Sequence, residues 1–239
     1  MKLNYEVIIL AAGNSSRMLP ITRDFPKCLL QIGGKTILEH QISAFKKHGL
    51  KRFNIVLGYK YKKVLPFILK EDIHVIYNKF YNKSNSMYSL WLTKKRYNTH
   101  IIIVNSDLYF EERLMDRILT SGNKNIAIID KSAKWDLEST KVKIQNGKIK
   151  YWSRNIPEGE FSGENLGIVK ITKKDVQSFY NIISNLIKKK HYKIWWPEAL
   201  NRLVKASQIY AVYNNSTFCK EIDTQKDYQY VLKQISKRK

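Results

Sequence analysis

A short apolar run, Val7 to Leu10, leads into Ala11-Ala12-Gly13 and a polar loop of Asn14, Ser15, Ser16 and Arg17, and Pro26-Lys27 follows. Small side chains and a glycine let backbone N–H groups come close to an anion, which is how phosphate-cradling loops work. Arg17 and Lys27 add fixed positive charge suited to phosphate oxygens. The chemistry implied is the holding of a nucleoside triphosphate; a small, basic surface loop is the plain alternative. Two other phosphate loops are excluded. Gly34-Lys35-Thr36 mimics the end of a Walker A motif, but its first glycine would fall at Leu29, and no GxGxxG is present.

A second group is acidic. Asp107 follows the apolar run Ile101 to Val104, which places a carboxylate at the end of a strand. Glu221 and Asp223 are spaced by two, so on an extended strand both face one side. On residues alone, Asp107 caps a helix beginning near Glu111 and Glu221 pairs with surface lysines, or the three act together on a cation. A third group is aromatic: Trp135, Trp152, Tyr192, Trp195 and Trp196, with Asp136 and Glu198 beside them. Aromatic faces plus a carboxylate suit a quaternary ammonium, although tryptophans also fill cores. His40 and His48, eight apart on one helix, are too sparse for a metal site. Cys28 has apolar neighbours Leu29 and Leu30 and reads as buried and structural.

The elements that must position these residues alternate strand and helix. Strands are expected over Tyr5–Leu10, Arg52–Leu57, Ile73–Tyr77 and His100–Val104. Helices are expected over Thr36–His48, stopping at Gly49, over Lys62–Lys70 and over Asn85–Lys95. Beyond Asn125 strands become more frequent: Lys141–Ile144 and Lys148–Ser153 flank the turn Asn146-Gly147, and Gly167–Ile171 follows. Three more helices are expected, near Val176–Lys189, over Trp196–Lys205 with Pro197 in its first turn, and over Asp227–Lys237. Repeated β-α-β units with buried strands predict an α/β fold, its central sheet mostly parallel or mixed and flanked by helices, with a small β-rich subregion. Ligands then sit beyond the carboxyl ends of the strands, in the loops after Leu10 and Val104.

Length and composition agree. The 239 residues suffice for one substantial core, and a hydrophobic share of 44% excludes a disordered chain. We expect one domain over 1–239, with 1–124 holding the nucleotide and 125–239 holding the acceptor and the second acidic strand. Two cysteines without a CxxC exclude a disulfide framework and point to a reducing cytoplasm. No apolar run is long enough to span a bilayer, so no stable membrane insertion is expected. The net charge of +23 is spread as lysine pairs such as Lys46-Lys47 and Lys62-Lys63, which read as solvated faces, and no nucleic-acid partner is expected. The expected assembly is a monomer or homodimer.

Leu10-Ala11-Ala12-Gly13, Ser16-Arg17 and Pro26-Lys27-Cys28-Leu29 together resemble the signature of the sugar-phosphate nucleotidyltransferase superfamily. Many members carry a second glycine where this chain has Ser15, so the loop geometry is expected to differ there. Tyr81 to Leu92 is similar to the nucleoside-facing segment of bacterial CTP:phosphocholine cytidylyltransferases, a pattern shared with 2-aminoethylphosphonate cytidylyltransferases. Gly163 to Ile168, Trp195 to Glu198 and Glu221 to Thr224 extend the likeness.

The resemblance implies a Rossmann-like nucleotidyltransferase fold and a reaction in which an acceptor phosphate attacks the α-phosphorus of CTP and pyrophosphate leaves. It implies that Asp107 and Asp223, with Glu221, hold Mg²⁺ and that Lys141 contacts the acceptor phosphate. Lys27, Arg17 and Asp107 are the expected catalytic residues. Leu10, Ala11, Ala12, Gly13, Asn14, Arg17, Lys27, Asn85, Ser89 and Ser106 are expected at the nucleotide. Lys141, Trp135, Asp136, Trp152, Glu164, Tyr192, Trp195, Trp196 and Glu198 are expected at an acceptor, with phosphocholine first. A phosphate monoester has its second pKa at about 6, so at neutral pH the nucleophile is already largely ionised and needs no general base. Two other readings stay open: the same fold acting on another phosphorylated metabolite (2-aminoethylphosphonate, phosphoethanolamine, a phospho-amino acid amide or a sugar 1-phosphate), and a non-enzymatic basic scaffold.

Overall fold

The computed structural model describes residues 4–69, 72–95, 97–137 and 139–238. Strand β1 (Tyr5–Ala11) is buried along its whole length, as its β-branched run requires for a strand covered on both faces. After the loop that follows it, a small hairpin, β2 (Gln31–Ile32) and β3 (Lys35–Thr36), leads into helix α1 (Ile37–Lys47). Thr36 and Glu39 close a capping box there, each side chain accepting the other residue's backbone N–H. Strand β4 (Phe53–Leu57), helix α2 (Tyr61–Ile68), strand β5 (Ile73–Tyr77), helix α3 (Ser86–Leu92) and strand β6 (His100–Asn105) complete the alternating half. The helix expected over Lys62–Lys70 is α2, which starts one residue earlier and ends at Ile68, and Lys70 lies outside the described residues. The helix expected from Asn85 to Lys95 is shorter because Asn85 is its cap rather than its first residue.

Strand β7 (Leu108–Phe110), helix α4 (Leu114–Leu119) and strands β8 (Asn125–Asp130), β9 (Lys141–Gln145), β10 (Lys148–Ser153) and β11 (Gly163–Ile171) follow. Helices α5 (Lys173–Lys188) and α6 (Pro197–Leu203), strands β12 (Ile209–Tyr213) and β13 (Cys219–Glu221), and helix α7 (Gln225–Ser236) end the fold. One nine-stranded sheet has the order β5-β4-β1-β6-β11-β8-β12-β10-β9. Its first four strands are parallel, whereas β11 runs antiparallel to both β6 and β8, so the sheet is mixed. Alternate residues of β1 separate the two cores: Val7 and Ile9 pack toward α1, α2 and α4, and Ile8 and Leu10 pack toward α3, α5 and α6. Among the described residues no helix is long and apolar enough to cross a membrane.

Three short contacts aim this frame at its carboxyl edge. Strand β13 pairs antiparallel with β7, bringing Glu221 opposite Leu108 although they are far apart in the chain. Helix α7 packs Val231 against Ile222, Ile32 and Tyr109, closing a third small core. Strand β11 carries a bulge between Asn165 and Val169, where Gly167 has φ +69°. A Cβ at Gly167 would fall 2.6 Å from Nδ2 of Asn105, so the glycine makes room for that side chain.

A second close approach supports the loop after β1. A Cβ at Gly58 would lie 2.6 Å from the carbonyl oxygen of Ala12 and 2.7 Å from Cβ of Tyr81. Gly58→Ala is therefore expected to cost about 1–3 kcal/mol by overpacking and to displace the Ala12 turn. Urea unfolding checks this, and an unchanged midpoint would show that the turn yields freely.

Candidate active site

The loop after β1 starts where the strand stops, and Leu10 to Asn14, which span that junction, line a cavity of about 370 Å³ at the carboxyl edge of the sheet. Ser15 takes a left-handed backbone (φ 54°, ψ 34°), a conformation that glycine adopts more readily. Its carbonyl accepts bonds from the Thr22 hydroxyl (2.9 Å) and Met18 N–H (3.0 Å), and its hydroxyl accepts from Lys27 N–H (3.3 Å). These bonds hold a serine in the turn and tie it to the segment carrying Lys27.

Lys27 is the centre of the cavity's charge. Its side chain is buried, and Nζ donates to Asp107 Oδ2 at 2.9 Å and Asp223 Oδ1 at 2.8 Å. Arg17 also donates to Asp223 Oδ1, at 2.8 Å. Burial alone would lower the lysine's proton affinity, but Asp107 and Asp223 more than offset it and push its pKa above the ordinary range. Burial works against ionisation of Asp223 too, yet Lys27 and Arg17 hold its carboxyl below the usual range. Glu221 behaves oppositely. Burial first, then Asp107 and Asp223, drive its carboxyl well upward, against Lys27 and the bond from Asn105 Nδ2 at 3.1 Å.

Asp107 does not cap the following helix, which starts only at Leu114 and has no side-chain cap. Glu221 ends its strand and Asp223 lies beyond it, so the two do not share an extended strand as expected. They meet in the cavity because the chain turns there, with Ile222 buried behind them and its N–H bonded to the Asp107 carbonyl at 2.9 Å. The Thr224–Asp227 capping box of α7 fixes the turn, and Asp223 N–H donates to Asp227 at 3.2 Å.

Of the residues expected at the nucleotide, Leu10 to Asn14, Arg17, Lys27, Asn85, Ser89 and Ser106 all line the cavity. The acceptor set divides. Trp195 and Trp196 line it, but Trp135, Asp136, Lys141, Trp152, Glu164, Tyr192 and Glu198 do not. Trp152 is buried in the core beneath α5 and α6. Trp135 donates its indole N–H to the Ile156 carbonyl, and Asp136 accepts from Ser139 N–H. Lys141 is wholly buried, donates to the carbonyls of Ser139 (3.3 Å) and Arg154 (2.9 Å), and lies 5.0 Å from the Trp135 ring centroid. Tyr192 is exposed and packs edge-on against Tyr88, and Glu198 bonds Asn201 on α6. A spacing-based reading gathers aromatics that the sheet then distributes between core and surface.

Several lining residues escaped the sequence reading. Asn105 donates to Glu221 and accepts the Trp196 indole N–H at 3.1 Å, joining the acidic group to the aromatic one. Asn78 donates to Ser84 (3.1 Å) and Ser89 (3.0 Å). An asparagine closing or following an apolar strand at a ligand-binding edge is the signal that would have found both. Arg154 and Asn165 also line the cavity and carry no such mark. His40 and His48 bond backbone carbonyls, and burial pushes the Cys28 thiol up to about 12, leaving it inert.

The model of the MobA-like NTP transferase domain family matches residues 7–217. The chain belongs to this family. As a MobA-like NTP transferase domain, it is 28% identical over 235 residues to a bifunctional IPC transferase and DIPP synthase of Aquifex aeolicus, covering 96% of this chain and 51% of that one. It is 28% identical to a choline-phosphate cytidylyltransferase of Haemophilus influenzae, covering 97% of this chain and 98% of that one. The solved CTP:phosphocholine cytidylyltransferase of Streptococcus pneumoniae superposes with a TM-score of 0.84 at 19% identity, covering 98% of this chain and all of that one, so the fold is shared. The chain spans about half the length of several curated relatives that it matches.

Glu164 gives this family member a measurable pH signature outside the Lys27 cluster. Burial first, then Asp136, Asp130 and Asp223, push its carboxyl up to about 7, opposed by Lys220. A carboxyl raised on folding costs almost nothing below its unfolded pKa, and the penalty grows as pH rises from the unfolded toward the folded value and levels off above it. Glu164→Gln is therefore expected to be more stable than the parent by roughly 2–3 kcal/mol at pH 8 and nearly equal at pH 4. Chemical unfolding at the two pH values checks this; an equal difference at both would sink the assignment.

Proposed function

We propose that this chain transfers CMP from CTP to the phosphate of a small organic monoester, releasing pyrophosphate, with Mg²⁺ held by Asp107 and Asp223. The convergence of these two carboxylates on the Lys27 ammonium, beside the loop after β1, carries the reading. That point already holds one cation between two oxygen donors. One or two carboxylates plus substrate phosphates is the usual Mg²⁺ environment, so the residues present fit the ion. Bound there, it would neutralise the phosphate charge that opposes attack on the α-phosphorus.

The chain's own groups supply the rest. Ala12 to Asn14 line the cavity edge, where their backbone N–H groups would cradle the β- and γ-phosphates. Lys27, anchored by Asp107 and Asp223, and Arg17 offset the charge on the leaving pyrophosphate. An acceptor phosphate oxygen forms the new bond to the α-phosphorus while the bridge to the β-phosphorus breaks. The acceptor is largely ionised at neutral pH, so no proton need be removed. Asn85 and Ser89, brought to the wall by α3, are the proposed nucleoside contacts. The choice of cytidine rests on the Tyr81–Leu92 segment and on the cytidylyltransferase relatives, whose names also make phosphocholine an acceptor to test.

Pyrophosphate release is the direct assay, with CTP, UTP, GTP, ATP and dTTP each crossed with phosphocholine, phosphoethanolamine, 2-aminoethylphosphonate and hydroxylated monophosphates. CTP should support turnover with at least one monoester, and its failure with all of them would end the reading. Lys27→Ala and Asp107→Ala should each lower kcat/KM by about a hundredfold or more while circular dichroism stays unchanged. A fully active Asp107→Ala would refute the metal role.

A further inference from the structure

Resting on that cytidylyltransferase reading, the part of the cavity lined by Arg154 and Asn165 allows its acceptor to be narrowed. The guanidinium of Arg154 lies 3.6 Å from the centroid of the Trp195 ring, and both residues line the cavity. The position is built rather than incidental. The Arg154 carbonyl is held at 2.9 Å by the wholly buried Lys141 ammonium, which also bonds the Ser139 carbonyl. Arg154 thus leaves a backbone fixed by a charged bond, and an aromatic face fixes its side chain. Stacking of this kind orients a planar guanidinium while leaving its N–H edge available.

That edge is short of partners. Nε of Arg154 is buried and makes no hydrogen bond among the described residues. In the same cavity Asn165 is only 4% exposed, and its Oδ1 is likewise buried and without a partner among the described residues. Its backbone is pinned by a 2.8 Å bond to the carbonyl of Thr140, another lining residue. Buried polar atoms are almost always bonded in native proteins, and an unmet one costs about 1–3 kcal/mol. One of these atoms donates and the other accepts.

The complementary ligand group must therefore accept from a guanidinium and donate to an amide oxygen. A hydroxyl does both, whereas a quaternary ammonium does neither, having no N–H and no lone pair. A quaternary ammonium also needs an open aromatic face, and one face of Trp195 is already occupied by a cation. Trp152 and Trp196 are no substitute, each being at most 2% exposed, and Trp196 presents its indole N–H to Asn105.

We propose that Arg154 and Asn165 form a hydrogen-bonding acceptor subsite that selects a monophosphate of a polyhydroxylated skeleton, a polyol or sugar, over one bearing a quaternary ammonium. The subsite lies in the same cavity as the Lys27 cluster, so the skeleton's hydroxyls engage Arg154 and Asn165 while its phosphate turns toward the α-phosphorus. Lys141 acts through Arg154 as a positioning residue.

The test measures kcat/KM with CTP for inositol 1-phosphate, glucose 1-phosphate and glycerol phosphate against phosphocholine. The best hydroxylated acceptor should exceed phosphocholine by at least about tenfold, as expected where a site is built to bond a substrate hydroxyl. Arg154→Ala, which uncovers Trp195, should lower that acceptor's kcat/KM at least about tenfold and shift the ratio toward phosphocholine, with the KM for CTP unchanged. Asn165→Ala should lower the hydroxylated acceptor's value without raising that of phosphocholine. Phosphocholine equal or better in the parent, or an unchanged ratio in Arg154→Ala, overturns the subsite while leaving cytidylyl transfer standing. Absence of turnover with CTP and every acceptor overturns both.

Discussion

The Lys27 ammonium, buried between Asp107 and Asp223, is the interaction on which the rest of the site depends. It ties together three segments distant in sequence: the turn after Pro26, the end of β6, and the turn between β13 and α7. Three carboxylates share this small volume, and two of them face the lysine directly. Without a cation there, at least one more would have to take up a proton, as Glu221 already tends to do. The buried charge is tolerable because each partner is also bonded elsewhere or close to solvent, the condition under which a buried ion pair persists. An active site that must later bring several phosphates together benefits from this balance, since positive and negative groups are already in place and little reorganisation is needed.

Much of the molecule serves to keep those segments in register. The capping boxes at Thr36 and Thr224 fix where α1 and α7 begin, and the third core holds β13, α7 and the β2–β3 hairpin against Tyr109. Gly167 admits Asn105, which then bonds both Glu221 and Trp196. Asn105 is thus the hinge between the carboxylates and the aromatic wall. Lys141 plays an equivalent structural part near Arg154: wholly buried, it directs its charge at the backbone carbonyls of Ser139 and Arg154. Two lysines of the same type therefore do different work, one facing substrate space and the other buried under it.

Local pattern was enough to read the alternating first half, the β9–β10 hairpin and the helices α5 to α7, because strands buried on both faces must be apolar and helices carry an apolar stripe, whereas α4, β8 and β12 went unread. It reached the loop from Leu10 to Arg17, Lys27 and Asp107 for the same reason: their chemistry is set by neighbours in the chain or by the end of a strand. The bulge in β11 escaped it, and with the bulge the placement of Asn165, since a register shift depends on the partner strands β6 and β8. Glu221 and Asp223 were paired correctly in space but for the wrong local reason, the strand ending between them.

By itself, the sequence determined the fold class, the small-residue loop after β1 and the acidic residues, because strand burial, small residues and carboxylates at strand ends are properties of short windows. Only the tertiary structure decided which of five aromatics face the cavity, because tryptophan suits a core and a ligand wall equally well and the pleat of the sheet chooses between them. Only it set Lys27 between two carboxylates. And only it laid Arg154 over Trp195, since nothing in the chain around either residue marks them as neighbours.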